Sequence, residues 1–152
     1  MTVTKTKLND CFIIEPTVFG DQRGYFFESY NKANFEKEIG LNPDFIQDNE
    51  AYSTKGALRG LHFQKGEYAQ AKLVRVTQGK VLDVVVDLRP DSSTFKEYIS
   101  IELSAENKKQ LFEIRKYELS NKNKSKYMII NSSNKFETNR AIIFNQVKKL
   151  IK

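Results

Sequence analysis

The sequence predicts an all-β fold for residues 1–111, an antiparallel jelly roll or β-sandwich, followed by an atypical segment at 112–152. Three observations carry that reading. Short apolar or aromatic runs recur at regular intervals, and turn-forming residues punctuate them. Only one stretch before residue 111 has clear helical spacing with a cap at either end. Finally, all seven glycines lie at or before Gly79 and the last proline is Pro90, so the turn chemistry a β-domain needs stops well before the chain does.

Taken in order, residues 11–15 (Cys-Phe-Ile-Ile-Glu) read as a first strand, stopped by Pro16. Val18 and Phe19 lead into Gly-Asp-Gln-Arg-Gly at 20–24, a turn with glycine at each end. An aromatic strand follows at 25–30. Asn31 is placed to cap a short helix ending at Ile39, with Phe35 and Ile39 one helical turn apart and Gly40 as the stop. Residues 45–49 suggest a brief strand, and 58–64 another. The clearest hairpin signal pairs 71–76 with 80–87 across Thr77, Gln78 and Gly79. A further strand is expected at 95–103, closed by a helical turn at 104–107.

Composition narrows the function classes. No apolar run approaches the length of a membrane span, and the first residues lack the apolar core of a signal peptide. Cys11 is the single cysteine, which excludes an intrachain disulfide or a four-cysteine zinc site and fits a reducing cytoplasm. The net charge of +6 is unevenly placed. Residues 1–111 carry 15 Lys/Arg against 16 Asp/Glu, whereas 112–152 carry 10 against 3. The β-region is therefore near neutral, which argues against a nucleic-acid partner.

The candidate centre is Leu-Arg-Gly-Leu-His-Phe-Gln at 58–64. His62 is the only histidine in the chain, so no other side chain has an unperturbed pKa suited to proton transfer near neutrality. One histidine also makes a multi-histidine metal site impossible, and argues against a metal-dependent oxygenase. In a plain strand Arg59 and His62 face opposite ways, and Gly60 between them offers a bulge that would bring both into one cavity. On these residues alone, a solitary histidine on a β-surface is the favoured reading, since one histidine is weak evidence of catalysis.

The assembled motifs resemble the dTDP-4-dehydrorhamnose 3,5-epimerases, cupin-like jelly rolls that act as dimers. The resemblance rests on Glu-Pro-Thr-Val-Phe-Gly-Asp-Gln-Arg-Gly-Tyr-Phe-Phe-Glu-Ser-Tyr-Asn at 15–31, Gln-Asp-Asn at 47–49, Arg-Gly-Leu-His-Phe-Gln at 59–64 and Lys-Leu-Val-Arg at 72–75. It continues through Val-Leu-Asp-Val-Val-Val-Asp-Leu-Arg at 81–89 and Leu-Ser-Ala-Glu-Asn-Lys-Lys-Gln-Leu at 103–111. It implies a dTDP-4-keto-6-deoxy sugar as substrate, no cofactor and no metal. By position it makes His62 the base at C3 and C5, and sets Lys72 beside the C4 oxygen. Arg23 and Arg59 would hold the diphosphate, and Glu28, Gln47, Asp48 and Asn49 would line the substrate pocket.

Those residue types suit the chemistry. A proton next to a ketone becomes removable when charge on the developing oxyanion is stabilised. Two guanidinium forks match the oxygens of a diphosphate. Each residue also has a structural use: Arg23 as an exposed turn residue, Glu28 and Lys72 as solvated strand residues, Asp48 and Asn49 as turn formers. Asp83 and Asp87 read as structural rather than as proton carriers.

Past Leu111 the pattern departs from the family. Residues 112–152 contain no Gly, Pro, His or Asp, and no second histidine motif follows. Counted forward without gaps, the family's proton-donating tyrosine falls on Ser132, while the nearby Tyr117 and Tyr127 lie outside the matching motif. The carboxylate that orients the base would lie beyond Lys152. Such a change is what a shifted reading frame in AT-rich coding sequence produces. The expectation is that 112–152 does not rebuild the family's last strands. The alternative function is then a sugar-nucleotide-binding cupin with impaired catalysis.

Overall fold

The computed structural model describes residues 1–64, 66–114 and Asn145. Eight strands and one α-helix organise it: β1 (Thr2–Lys5), β2 (Cys11–Glu15), β3 (Val18–Asp21), β4 (Gly24–Phe27), α1 (Lys32–Ile39), β5 (Ala71–Arg75), β6 (Lys80–Val86), β7 (Tyr98–Ser104) and β8 (Gln110–Ile114). Every pairing is antiparallel. One sheet has the order β1-β2-β8-β5, while β3-β4 and β6-β7 form two-stranded sheets.

Alternation along the strands of the large sheet sorts its side chains to two cores. On one face Cys11 and Leu111, with Ile13 and Val74, pack against Val85, Leu103, Ile99 and Ile101 of the β6-β7 sheet. On the other, Phe12, Ile14 and Phe112 pack against Phe35 and Ile39 of α1. Phe112 meets the Phe35 ring edge-on at 4.9 Å and stacks on Phe12 at 6.1 Å. The helix forms as its sequence predicts. Asn31 Oδ1 accepts from the Asn34 N–H at 3.2 Å, and Gly40 takes the left-handed conformation (φ 74°) and donates its N–H to Glu36 O at 2.9 Å.

Five local expectations are corrected. Strands 71–76 and 80–87 do not form a hairpin: β5 pairs with β8 and β6 with β7, so the Thr77–Gln78–Gly79 connection crosses between sheets. Alternation is equally satisfied on either side of a sandwich, and a three-residue link does not say which is meant. Gly79 carbonyl accepts instead from the Ala105 N–H at 2.9 Å, which draws the link toward the end of β7. Residues 58–64 and 45–49 are irregular rather than strands. The aromatic strand ends at Phe27, and the late strand starts at Tyr98 instead of residue 95. The helical turn closing β7 is present, with Ser104 Oγ accepting from the Asn107 N–H at 3.0 Å and Asn107 Oδ1 from the Ser104 N–H at 3.1 Å.

β8 runs through Ile114, three residues past the compositional break, and buries Phe112 completely. Ser132, Tyr117, Tyr127 and the rest of the expectations about 115–152 lie outside the described residues.

Candidate active site

Gly60 sets the geometry around the lone histidine. Its φ of 109° belongs to glycine, and a Cβ there would sit 3.2 Å from His62 Nδ1 and 3.4 Å from the His62 amide nitrogen. The positive φ breaks the strand that alternation suggests. The two residues a bulge was expected to unite do not share the cavity lining. His62 borders a cavity between the two sheets, together with Leu61, Cys11, Val85, Asp87 and Glu113, whereas Arg59 does not.

Arg59 is turned toward the preceding loop. Its Nε donates to Ser53 Oγ at 2.9 Å and its Nη2 to the Tyr52 carbonyl at 2.9 Å. The side chain is exposed and its fork is held in one orientation by partners six and seven residues away. Lys72 stands on β5, half-buried, on the strand face it shares with Val74, and so toward the inter-sheet core. Its partner in the ladder is Glu113 of β8, a buried residue on the same face.

The other predicted residues lie at the surface, away from the cavity lining. Arg23 occupies the β3-β4 turn, with Nη2 2.6 Å from Asp21 Oδ2, a pairing that raises its pKa and lowers that of Asp21. Glu28 follows β4. Its Oε2 accepts from Asn31 Nδ2 and its Oε1 from Asn34 Nδ2, both at 3.0 Å, and these bonds hold its carboxyl below the usual range. Gln47 Nε2 donates to Asn49 Oδ1 at 3.1 Å, with Asp48 exposed between them. Among the described residues no set of three or more His, Cys, Asp or Glu is gathered to hold a metal ion.

A polar network that sequence reading left as merely structural closes one end of the cavity. Buried Asp87 accepts from Arg89 Nε at 3.0 Å and Nη2 at 2.9 Å, from Ser92 Oγ at 2.6 Å and from Thr94 Oγ1 at 2.7 Å. Burial by itself would push the carboxyl up, but these donors together outweigh it and hold Asp87 well below the carboxylate range. The Asp87 bond in turn raises the Arg89 pKa, against a smaller opposing effect of burial. Arg89 also reaches Asp10 Oδ2 and the Asn9 carbonyl, both at 2.7 Å, tying the end of β6 to the turn before β2. The spacing Asp87–Leu88–Arg89, two like-facing polar residues after an apolar strand, was the available signal. Buried Gln110, whose Nε2 donates to the Ser29 carbonyl at 2.9 Å, gave none.

His62, itself exposed, borders this cavity, whereas Lys72 lies on the same inner sheet face as Glu113 but is not among the residues lining it. The sequence matches the family model described as dTDP-4-dehydrorhamnose 3,5-epimerase over residues 5–129. It is 56% identical over 112 residues to the dTDP-4-dehydrorhamnose 3,5-epimerase of Salmonella typhimurium, covering 74% of this chain and 61% of that protein. The Escherichia coli epimerase is 54% identical over the same length, with 60% of it covered. The chain thus spans about 60% of the length of these relatives. Among solved structures, the Elizabethkingia anophelis epimerase superposes with a TM-score of 0.72 at 57% identity, covering 76% of this chain and 63% of that one. A Legionella pneumophila dTDP-6-deoxy-D-glucose-3,5-epimerase in complex with dTDP-4-keto-L-rhamnose also gives 0.72, at 42% identity, with 75% and 60% covered. Together with the antiparallel jelly-roll architecture, these matches show that the chain belongs to the dTDP-4-dehydrorhamnose 3,5-epimerase family.

Proposed function

We propose that this chain epimerises a dTDP-4-keto-6-deoxy sugar at C3 and C5. The observation that carries the reading is family membership over residues 5–129, a span containing His62, Lys72 and every other candidate residue. His62 removes the proton next to the C4 ketone, and the electron pair moves onto the C4 oxygen. Lys72 stabilises the enolate so formed, since a fixed cation at a developing oxyanion lowers the barrier most where water is excluded. An acid on the opposite sugar face then returns a proton to carbon, inverting the centre with no net redox change. Arg23 and Arg59 hold the diphosphate. Glu28 and the Gln47–Asp48–Asn49 run contact the rest of the nucleotide sugar.

The same reading makes the protein a cytoplasmic homodimer. The β3-β4 hairpin supports the second copy: Phe19 and Phe26 pair across it and are 63% and 69% exposed, a cross-strand aromatic face that water alone does not favour. No helix of the described residues is long and apolar enough to cross a membrane.

The test is conversion of the 4-keto sugar nucleotide in D₂O, followed by NMR. Deuterium at C3 and C5 of an epimerised product supports the assignment. Binding of dTDP without any exchange would replace it with a sugar-nucleotide-binding role.

A further inference from the structure

The Glu28 carboxylate is embedded in a ring of hydrogen bonds that ties it to the start of α1. Asn31 Nδ2 and Asn34 Nδ2 each donate to a different oxygen of it at 3.0 Å. Asn31 Oδ1 meanwhile caps the helix by accepting from the Asn34 N–H at 3.2 Å. One residue further along the chain from Glu28, the Ser29 carbonyl is fixed by buried Gln110 of β8 at 2.9 Å. The helix itself is anchored by Phe35, which is 2% exposed and packs edge-on against Phe112. An exposed glutamate on a loop ordinarily samples many rotamers. Here two amides and a buried backbone anchor hold its terminus in one place, and each oxygen keeps a further lone-pair direction open to solvent.

We propose that Asn34 is a positioning residue for ligand binding, holding the Glu28 carboxylate so that it accepts from an N–H or O–H donor of the nucleotide sugar. This rests on the reading of Glu28 as a substrate-binding residue given above. Asn31 shares the task but also caps the helix, so Asn34 is the position that separates orientation from folding. The charged groups acting on Glu28 are few, the Met1 ammonium adding a weaker attraction to the two amide bonds.

Asn34→Ala removes the donor to Oε1 while keeping the backbone N–H that Asn31 caps, and alanine is a good helix former at an exposed site. The experiment measures three quantities on the full chain: melting temperature, the Glu28 side-chain titration by ¹³C NMR, and dTDP affinity by calorimetry. The expected result is an unchanged melting temperature, a Glu28 titration moved up toward the ordinary carboxylate range, and dTDP affinity weakened about fivefold. In a Glu28→Gln background the same substitution should cost no further affinity. An unmoved Glu28 titration, or an affinity loss that persists in the Glu28→Gln background, overturns the inference while leaving the epimerase reading intact. Failure of the unmodified chain to bind dTDP overturns the reading of the site and the ligand role of Asn34 with it.

Discussion

The guanidinium of Arg89 grips the buried Asp87 carboxylate through Nε at 3.0 Å and Nη2 at 2.9 Å, while its Nη1 reaches Asp10 at 2.7 Å. One side chain thereby fastens the end of β6 to the turn that precedes β2, at one end of the His62 cavity. Removing the cation leaves a desolvated carboxylate with only hydroxyl and amide donors. Arg89→Met is expected to destabilise the domain by about 3 kcal/mol, read as a lowered urea midpoint. A midpoint equal to that of the parent chain would mean the network contributes nothing net.

The same carboxylate gives stability a pH dependence of defined sign. Its pKa is depressed in the folded state, so its contribution is complete above the unfolded value of about 4 and is lost as pH falls through the lower folded value. Urea stability should therefore decline below about pH 4. Asp87→Asn should flatten that decline, at the cost of lower stability at neutral pH. An unchanged acid limb in the variant would assign the decline to other carboxylates.

Phe112 sits at 0% exposure on β8, between Phe12 of the sheet and Phe35 of the helix. Phe112→Ala should cost about 3–5 kcal/mol through lost burial and an unfilled cavity. Denaturant unfolding checks this, and a loss under 1 kcal/mol would show that the helix closes the gap by moving.

Much of this architecture was legible in the sequence because it is written in local chemistry. Asn31 and Gly40 bracket the helix, and Cys11–Glu15 alternates between two cores, so both elements read directly. The partner of β5 did not, because alternation fixes which residues share a face and says nothing of which strand lies beside them. The apolar pattern of 58–64 reads as a strand because the positive φ of Gly60 is invisible in it. A bulge at Gly60 would bring His62 and Arg59 into one cavity, but of the two only His62 lines it, and Arg59 turns to the preceding loop. Its tether to Tyr52 and Ser53 depends on a loop path that periodicity does not encode. Asp87 reads from sequence as a structural or supporting residue rather than a proton carrier, yet its donors Ser92 and Thr94 lie past a strand end, where spacing carries no signal.

For the chemistry, His62→Ala should abolish solvent exchange at C3 and C5 while leaving dTDP affinity within about twofold, because the imidazole acts on the transition state rather than on binding. Exchange at the parent rate would remove His62 from the role of base.

Arg59→Ala should do the reverse. Loss of a charge-assisted contact to phosphate weakens binding by about 1.5–3 kcal/mol, visible in calorimetry with dTDP. An unchanged dissociation constant would leave Arg59 with only its contacts to Tyr52 and Ser53.

The most direct test of the central claim is ¹H NMR of the dTDP-4-keto-6-deoxy sugar incubated with the purified chain in D₂O. The account predicts loss of both the C3 and C5 proton signals and the appearance of product inverted at both carbons. Retention of both protons over many hours, with dTDP bound at the site, would contradict it.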